Sequence, residues 1–274
     1  MTSHASEAEG RAAALFDALA PQYDAVGVDF FQPIAEGLLS AIESRPGETW
    51  LDLGCGSGAV LLPLARRIDP GRATGLDISP AMVTRTREEA TGHNLRNVDV
   101  VVGSAQLPDL PAASFDGITC SLVLFFLTDP RAALESWRPL LKPGGRIGVT
   151  TFGPTDPRWR HVEEVLQPFL PPRDARSSGV VGPFESDEGM ESLVVGAGFC
   201  EVHTVSQIVD VHFDSADQWR DFSMSVGQRQ AWLAIPDAQR EEVFAEAASR
   251  FRAVASPDGS ADFTQVARHT LAVG

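Results

Sequence analysis

Lysine is almost missing from this chain. Lys142 stands alone among 22 basic residues, which face 37 acidic ones, and the formal net charge is −15. A chain so acidic has no basic face with which to follow a phosphate backbone, so nucleic acid is not expected as a partner. The use of arginine in place of lysine, with abundant alanine, fits a GC-rich coding sequence. Tyrosine is also scarce, Tyr23 being the only one. The three cysteines, Cys55, Cys120 and Cys200, are few and odd in number, and each sits in or beside a predicted strand. That pattern suits a reduced, cytoplasmic protein better than a disulfide framework. No apolar run reaches the roughly 18 residues of a membrane span, so no membrane is expected as a partner. The first ten residues are polar and lack the basic-then-apolar layout of a signal peptide; they are expected to be a disordered tail.

What is present is enough for a core. Hydrophobic residues make up 43% of 274, a length that suits one large α/β domain or one with an inserted cap. An apolar stripe over 11–19 predicts a helix, broken at Ala20-Pro21, and Ile34, Leu38, Leu39 and Ile42 predict a second over about 31–44. Strands are expected at about 49–53, 72–77, 98–102, 115–121 and 146–152, with helices between them. One of these helices, over about 57–68, should be bent by Pro63. Four strand–helix alternations point to an open parallel sheet with right-handed crossovers. Beyond it the chain reads less regularly. A helix around Trp159, a polar loop over 173–184, a helix over 186–197 and a strand over 200–211 lead to two helices, about 214–222 and 236–254. A last strand covers 262–273. The two helices form an insertion over the sheet, within about 213–256.

The strongest local signal is Thr49-Trp50-Leu51-Asp52-Leu53-Gly54-Cys55-Gly56-Ser57-Gly58. A buried strand ends in an acid and runs into three alternating glycines before a predicted helix. Glycines let the backbone turn sharply and approach a ligand closely, and a helix start adds free N–H groups. A dinucleotide site would space its glycines G-x-G-x-x-G; here they run G-x-G-x-G behind Asp52. Asp77 ends the second strand, where a carboxylate can accept the two hydroxyls of a ribose.

These residues resemble the signature of class I S-adenosylmethionine-dependent methyltransferases, in the subgroup of quinone-biosynthesis and small-molecule natural-product enzymes. The resemblance implies a Rossmann-like α/β fold: a seven-stranded, mostly parallel sheet with helices on both faces and an antiparallel last strand. It also implies a helical N-terminal lid over 11–45, a cofactor-binding core over 46–152 and a substrate-side half over 153–274. S-adenosylmethionine, leaving as S-adenosylhomocysteine, is the implied cofactor, and its cationic methionine end suits an acid at the turn. Asp52, Gly54, Gly56, Asp77, Ile78, Met82, Ser104, Ala105, Gln106 and Ser121 are the implied cofactor contacts, with Tyr23 over the methionine end. Ser104 departs from the family pattern, in which an acid often receives the adenine amino group. The implied reaction is methyl transfer to oxygen or carbon of a hydrophobic or aromatic small molecule in bacterial secondary metabolism. The alternative is an S-adenosylmethionine-binding protein that catalyses a cyclisation or elimination.

A general base is not readable. The segment after the fourth strand, Val123-Leu124-Phe125-Phe126-Leu127, has no histidine. His161, on a predicted amphipathic helix, is the candidate, with a surface role as its alternative. His203 and His212 read as structural, His93 and His269 as peripheral. No cluster has metal-ligand spacing, so no metal is expected. Phe16, Phe126, Trp159, Trp219 and Phe222 are the candidate substrate pocket, though each also fits a core position. The protein is expected to act as a monomer or homodimer.

Overall fold

The computed structural model describes residues 2–170 and 182–274. Seven strands form one sheet: β1 (Thr49–Leu53), β2 (Arg72–Asp77), β3 (Val98–Val102), β4 (Phe115–Ser121), β5 (Leu141–Thr155), β6 (Cys200–Phe213) and β7 (Ala261–Val273). Their order is β3-β2-β1-β4-β5-β7-β6. The first five are parallel, and β7 runs antiparallel to both β5 and β6. Strand order reverses at β1, between β2 and β4. A crevice therefore opens beyond the carboxyl ends of β1 and β4, which is where open α/β sheets take their ligands. The segment Lys142-Pro143-Gly144-Gly145 is a bulge within β5, which begins ahead of the strand expected at 146–152. Phe115 pairs with Leu141 while Gly117 pairs with Arg146, and Gly144 takes a φ of +74°.

Among the described residues ten α-helices lie around the sheet: α1 (Thr2–Leu19), α2 (Phe31–Ala41), α3 (Leu61–Arg67), α4 (Pro80–Gly92), α5 (Pro130–Trp137), α6 (Pro157–Glu163), α7 (Asp187–Gly196), α8 (Ala216–Ser225), α9 (Arg229–Ala234) and α10 (Asp237–Val254). Local chemistry sets several starts. Ser79, Asp129 and Asp156 each cap a helix through the side chain and precede a proline at its first position. The cap satisfies an orphan N–H, and proline needs none there. Three expectations change. Helix α1 begins at Thr2 and takes in the stretch expected to be a disordered tail. Helix α3 begins only at Leu61, so Pro63 falls in its first turn, where its missing N–H costs nothing and no bend is needed. The insertion has three helices rather than two, because the chain breaks over 226–228 between α8 and α9. The polar loop expected over 173–184 lies, as far as residue 181, outside the described residues.

Apolar residues collect in three clusters. One lies under α2, α3 and α4, and includes Leu38, Trp50, Leu61 and Val83. A second joins β4, β5, α5 and α7 through Ile118, Leu134, Trp137 and Met190. The third unites the far ends of β6 and β7 with α6, α8, α9 and α10. Strand β6 is parallel to β5, so the insertion leaves the sheet on the same side as the carboxyl ends of β1 and β4. It stands over the crevice. His269 is not peripheral: it is buried in β7, its Nδ1 2.9 Å from Thr150 Oγ1 and its Nε2 2.9 Å from Gln207 Oε1. Burial lowers its pKa to about 4, so it stays neutral. His203 and His212 are exposed. No helix among the described residues is long and apolar enough to cross a membrane.

Packing is tight where β4 passes the first strand. A Cβ on Gly117 would lie 2.4 Å from the ring of Trp50, which is fully buried. Gly117→Ala is expected to lower stability by about 1–3 kcal/mol through overpacking. Urea unfolding measures this, with an unchanged slope and a lower midpoint.

Candidate active site

The glycine turn is built on β2. Gly54 and Cys55 N–H groups donate to the Leu76 carbonyl at 2.7 and 3.1 Å, and Gly56 N–H donates to Asp77 Oδ2 at 2.9 Å. All three glycines of the turn have positive φ, and two of them border the site. Gly54 has a φ of +69° and faces Val123, whose Cγ2 would be 2.4 Å from an added Cβ. Gly56 has a φ of +51°, and a Cβ there would meet nothing closer than 4.0 Å, so its bare backbone borders open space.

Asp77 holds the other side. Its Oδ1 accepts from Ser79 N–H at 2.9 Å, so one carboxylate joins the turn to the start of α4. Burial raises its pKa; the Ser79 and Gly56 N–H groups work against that, and the charge of Asp17 adds to it. Asp52 is 2% exposed and accepts from the Thr119 hydroxyl at 2.8 Å. Burial raises its pKa to about 7, opposed by that hydrogen bond and reinforced by Asp77.

Helix α1 closes over these groups. Asp17 Oδ1 accepts from Ser79 Oγ at 2.5 Å and from Ala81 N–H at 3.0 Å. Arg85 of α4 donates to the carbonyls of Ala20 and Tyr23, both at 2.6 Å. Ser104 Oγ donates to the carboxylate of Glu9. The loop after β3 lacks an acid of its own, and α1 brings one to it. Sequence reasoning missed Asp17, Arg85 and Glu9. Asp17 lies inside the lid expected over 11–45, but nothing local marks Glu9.

The other expected contacts divide. Met82 is buried in the first turn of α4, and Ile78 is half-buried beside it. Ala105 is buried, its carbonyl accepting from the Trp137 indole at 2.7 Å. The Gln106 side chain is taken up by the segment before α5. It donates to the Asp129 carbonyl at 2.9 Å and accepts from Thr128 Oγ1 at 3.0 Å. Ser121 is half-buried at the end of β4. Tyr23 stacks on Phe31 with ring centroids 4.9 Å apart, and burial first, then the charges of Asp24 and Asp77, push its phenol well above the usual range.

From Tyr23 the aromatic contacts run in a closed circuit. Tyr23 meets Phe16 (6.4 Å), Phe16 meets Phe126 (5.7 Å), Phe126 meets Phe125 (4.8 Å) and Phe125 meets Phe152 (5.6 Å). Phe152 meets Phe30 (6.1 Å), Phe30 meets Phe31 (5.1 Å), and Phe31 returns to Tyr23. The circuit draws on α1, the connection to α2, the end of β5 and the segment after β4. Trp159 and Phe222 back it through Phe30, at 6.1 and 5.3 Å. Trp219 stands apart, fully buried against Trp232 inside the insertion. His161 is exposed on α6 with its Nδ1 3.1 Å from a Glu164 oxygen, and the structure does not bring it to the cluster. A cavity of about 220 Å³ lined by Ser57, Arg66, Arg85 and Glu89 includes neither Asp52 nor Asp77 and is a separate hollow beside the turn.

Residues 51–149 match the family described as a methyltransferase domain. The chain is 36% identical over 247 residues to nocamycin O-methyltransferase of Saccharothrix syringae, covering 85% of this chain and 88% of that one. It is 40% identical over 158 residues to aklanonic acid methyltransferase DauC of Streptomyces sp. (strain C5), covering 57% and 68%. Among solved structures, YcgJ of Bacillus subtilis shares the fold, with a TM-score of 0.59 at 17% identity over 88% of this chain and 97% of that one. The chain belongs to the class I S-adenosylmethionine-dependent methyltransferases, and S-adenosylmethionine is its cofactor. The residues fit that ligand: bare backbone at Gly56 beside open space, and acids rather than a cationic cradle on both sides of it.

Because Asp52 binds its proton more tightly folded than unfolded, its contribution to stability falls as pH rises from about 4 through about 7. Asp52→Asn is expected to remove that slope and to stabilise the protein above pH 7 by about 1–3 kcal/mol. Melting temperatures across this range check it. The wild type is expected to gain S-adenosylmethionine affinity as Asp52 ionises, and the same variant to lose that gain. Asp77→Ala is expected to weaken cofactor binding at least about 100-fold by calorimetry, the loss that follows if its carboxylate takes two ribose hydroxyls at about 1.5–3 kcal/mol for each charge-assisted hydrogen bond.

Proposed function

We propose that this protein moves a methyl group from S-adenosylmethionine to oxygen or carbon of a hydrophobic, aromatic small molecule in bacterial secondary metabolism. It acts in the cytoplasm as a monomer or homodimer. In this reading the lid over 11–45 and the core over 46–152 hold the cofactor, and residues 153–274 form the acceptor side.

The bound cofactor supplies an electrophilic methyl group on a sulfonium. The chain's own residues hold and orient. Asp77 accepts the ribose hydroxyls. Ile78 and Met82 flank the adenine, and Ser104 with Glu9 meets its amino group, so that the lid replaces the acid missing from the loop. The backbone at Ala105 and Gln106 borders the base. Asp52, the bare turn at Gly54 and Gly56, and Ser121 receive the methionine end under Tyr23. Catalysis then rests on alignment: a nucleophile held in line with the methyl carbon needs little else if it is an enol carbon or an acidic hydroxyl.

The observation that carries the acceptor class is the closed aromatic circuit at the crevice. Such a wall excludes water and suits a flat apolar framework. That the two curated relatives act on nocamycin and aklanonic acid, by their names, supports natural-product chemistry. Incubation with S-adenosylmethionine and a panel of hydroxylated polycyclic aromatic compounds is expected to give products with one added methyl group and an equal amount of S-adenosylhomocysteine. A changed product without an added methyl, and no S-adenosylhomocysteine, overturns this reading in favour of cyclisation or elimination.

A further inference from the structure

Next to the aromatic circuit lies a group of polar side chains buried without completing their hydrogen bonds. Glu163 ends α6, and Gln228 Nε2, from the turn before α9, donates to its Oε1 at 2.6 Å. Three atoms of this pair, its helix neighbour Trp159 and the next residue in sequence are buried and have no partner among the described residues: the Trp159 indole N–H, Gln228 Oε1 and Arg229 Nε. Trp159 is 3% exposed. It lies four residues before Glu163 on the same helix face. Burial raises the pKa of Glu163 to about 7, held back by the Gln228 hydrogen bond and by the Trp159 N–H, which comes near without hydrogen-bond geometry.

Each such unmade bond costs stability, and an apolar residue of similar shape avoids the cost. Folding alone gives no reason to keep an indole and a carboxyl here. Their position does. Trp159 touches Phe30 of the circuit at 6.1 Å, and a Cβ on Gly227, the neighbour of Gln228, would lie 3.8 Å from Phe126 Cζ. Trp159 on α6 and the turn before α9 thus each border the circuit.

We propose that Trp159, Glu163 and Gln228 form the polar anchor of the acceptor site, built for a hydroxyl beside a carbonyl on an aromatic framework. The unpartnered atoms set that chemistry. The indole N–H and the Arg229 Nε–H are donors and suit a carbonyl oxygen; the Gln228 amide oxygen accepts and suits a hydroxyl, beside the Glu163 carboxyl that Gln228 already holds. The anchor rests on the methyltransferase reading only in taking the ligand to be the methyl acceptor.

The test is calorimetry on protein saturated with S-adenosylhomocysteine, with 1-hydroxy-2-acetylnaphthalene as one probe and 2-ethylnaphthalene, which has the shape without the polar atoms, as the other. The hydroxy ketone is expected to bind at least about tenfold more tightly. Trp159→Phe and Glu163→Leu are expected to bring the ratio near one while leaving S-adenosylhomocysteine affinity unchanged. A second readout uses the unaltered protein: the 15N-labelled indole signal of Trp159 should move with the hydroxy ketone and not with the hydrocarbon. Equal binding of the two probes, or an undisturbed indole signal, overturns the anchor and leaves the cluster as a structural one served by water. Methyl transfer is not part of either readout. A protein that discriminates the probes and transfers no methyl supports the anchor and overturns the proposed function instead.

Discussion

Asp77 accepts from two backbone segments at once, the glycine turn through Gly56 and the start of α4 through Ser79, each at 2.9 Å. Ser79 is in turn tied to Asp17 of the lid at 2.5 Å. One buried carboxylate at the end of β2 therefore sets the turn after β1, the helix after β2 and the closure of α1. The arrangement concentrates negative charge: Asp17, Asp52 and Asp77 all act on a small volume, and burial raises the pKa of the last two. An environment that disfavours ionised carboxylates favours a ligand that brings hydroxyl donors and positive charge.

The crevice has two halves of opposite character. Toward β2 it is acidic and hydrogen-bonded, and toward β5 and the insertion it is aromatic. The division follows from sheet order. Placing β1 between β2 and β4 opens the polar turn at the switch point, and the long β5, β6 and β7 carry the insertion out over the same end. The only lysine is used at the opposite end of the strands, 2.7 Å from Asp116, where it fastens β5 to β4. No cation of that kind is left for the ligand end.

Much of this was legible because it is local. The acid-and-glycine turn, the strand-end Asp77 and the capped helices at Ser79 and Asp129 are short patterns whose physics lies within a few residues. The seven strands follow from periodicity, with the start of β5 carried back to Leu141 through its bulge. What escaped reading depends on distant segments. Polar residues 2–10 show no apolar stripe, and a helix there meets the core through Glu9 and Ser104, which lie 95 residues apart. The aromatic candidates split, with Phe16 and Phe126 in the circuit and Trp219 in the core of the insertion, because helical spacing is the same for both roles. Phe125 and Phe152 joined the circuit without any mark in their neighbours. Glu163 became notable only when Gln228, 65 residues later, was brought against it.

The central claim is that cofactor and acceptor meet between Asp77 and the aromatic circuit. A crystal structure with S-adenosylhomocysteine bound tests it most directly. The account predicts the ribose hydroxyls on Asp77, the adenine beside Met82 and Ser104, and the sulfur turned toward the rings of Tyr23 and Phe126. Ribose hydroxyls away from Asp77, or a sulfur facing bulk solvent on the far side of the glycine turn, would contradict it.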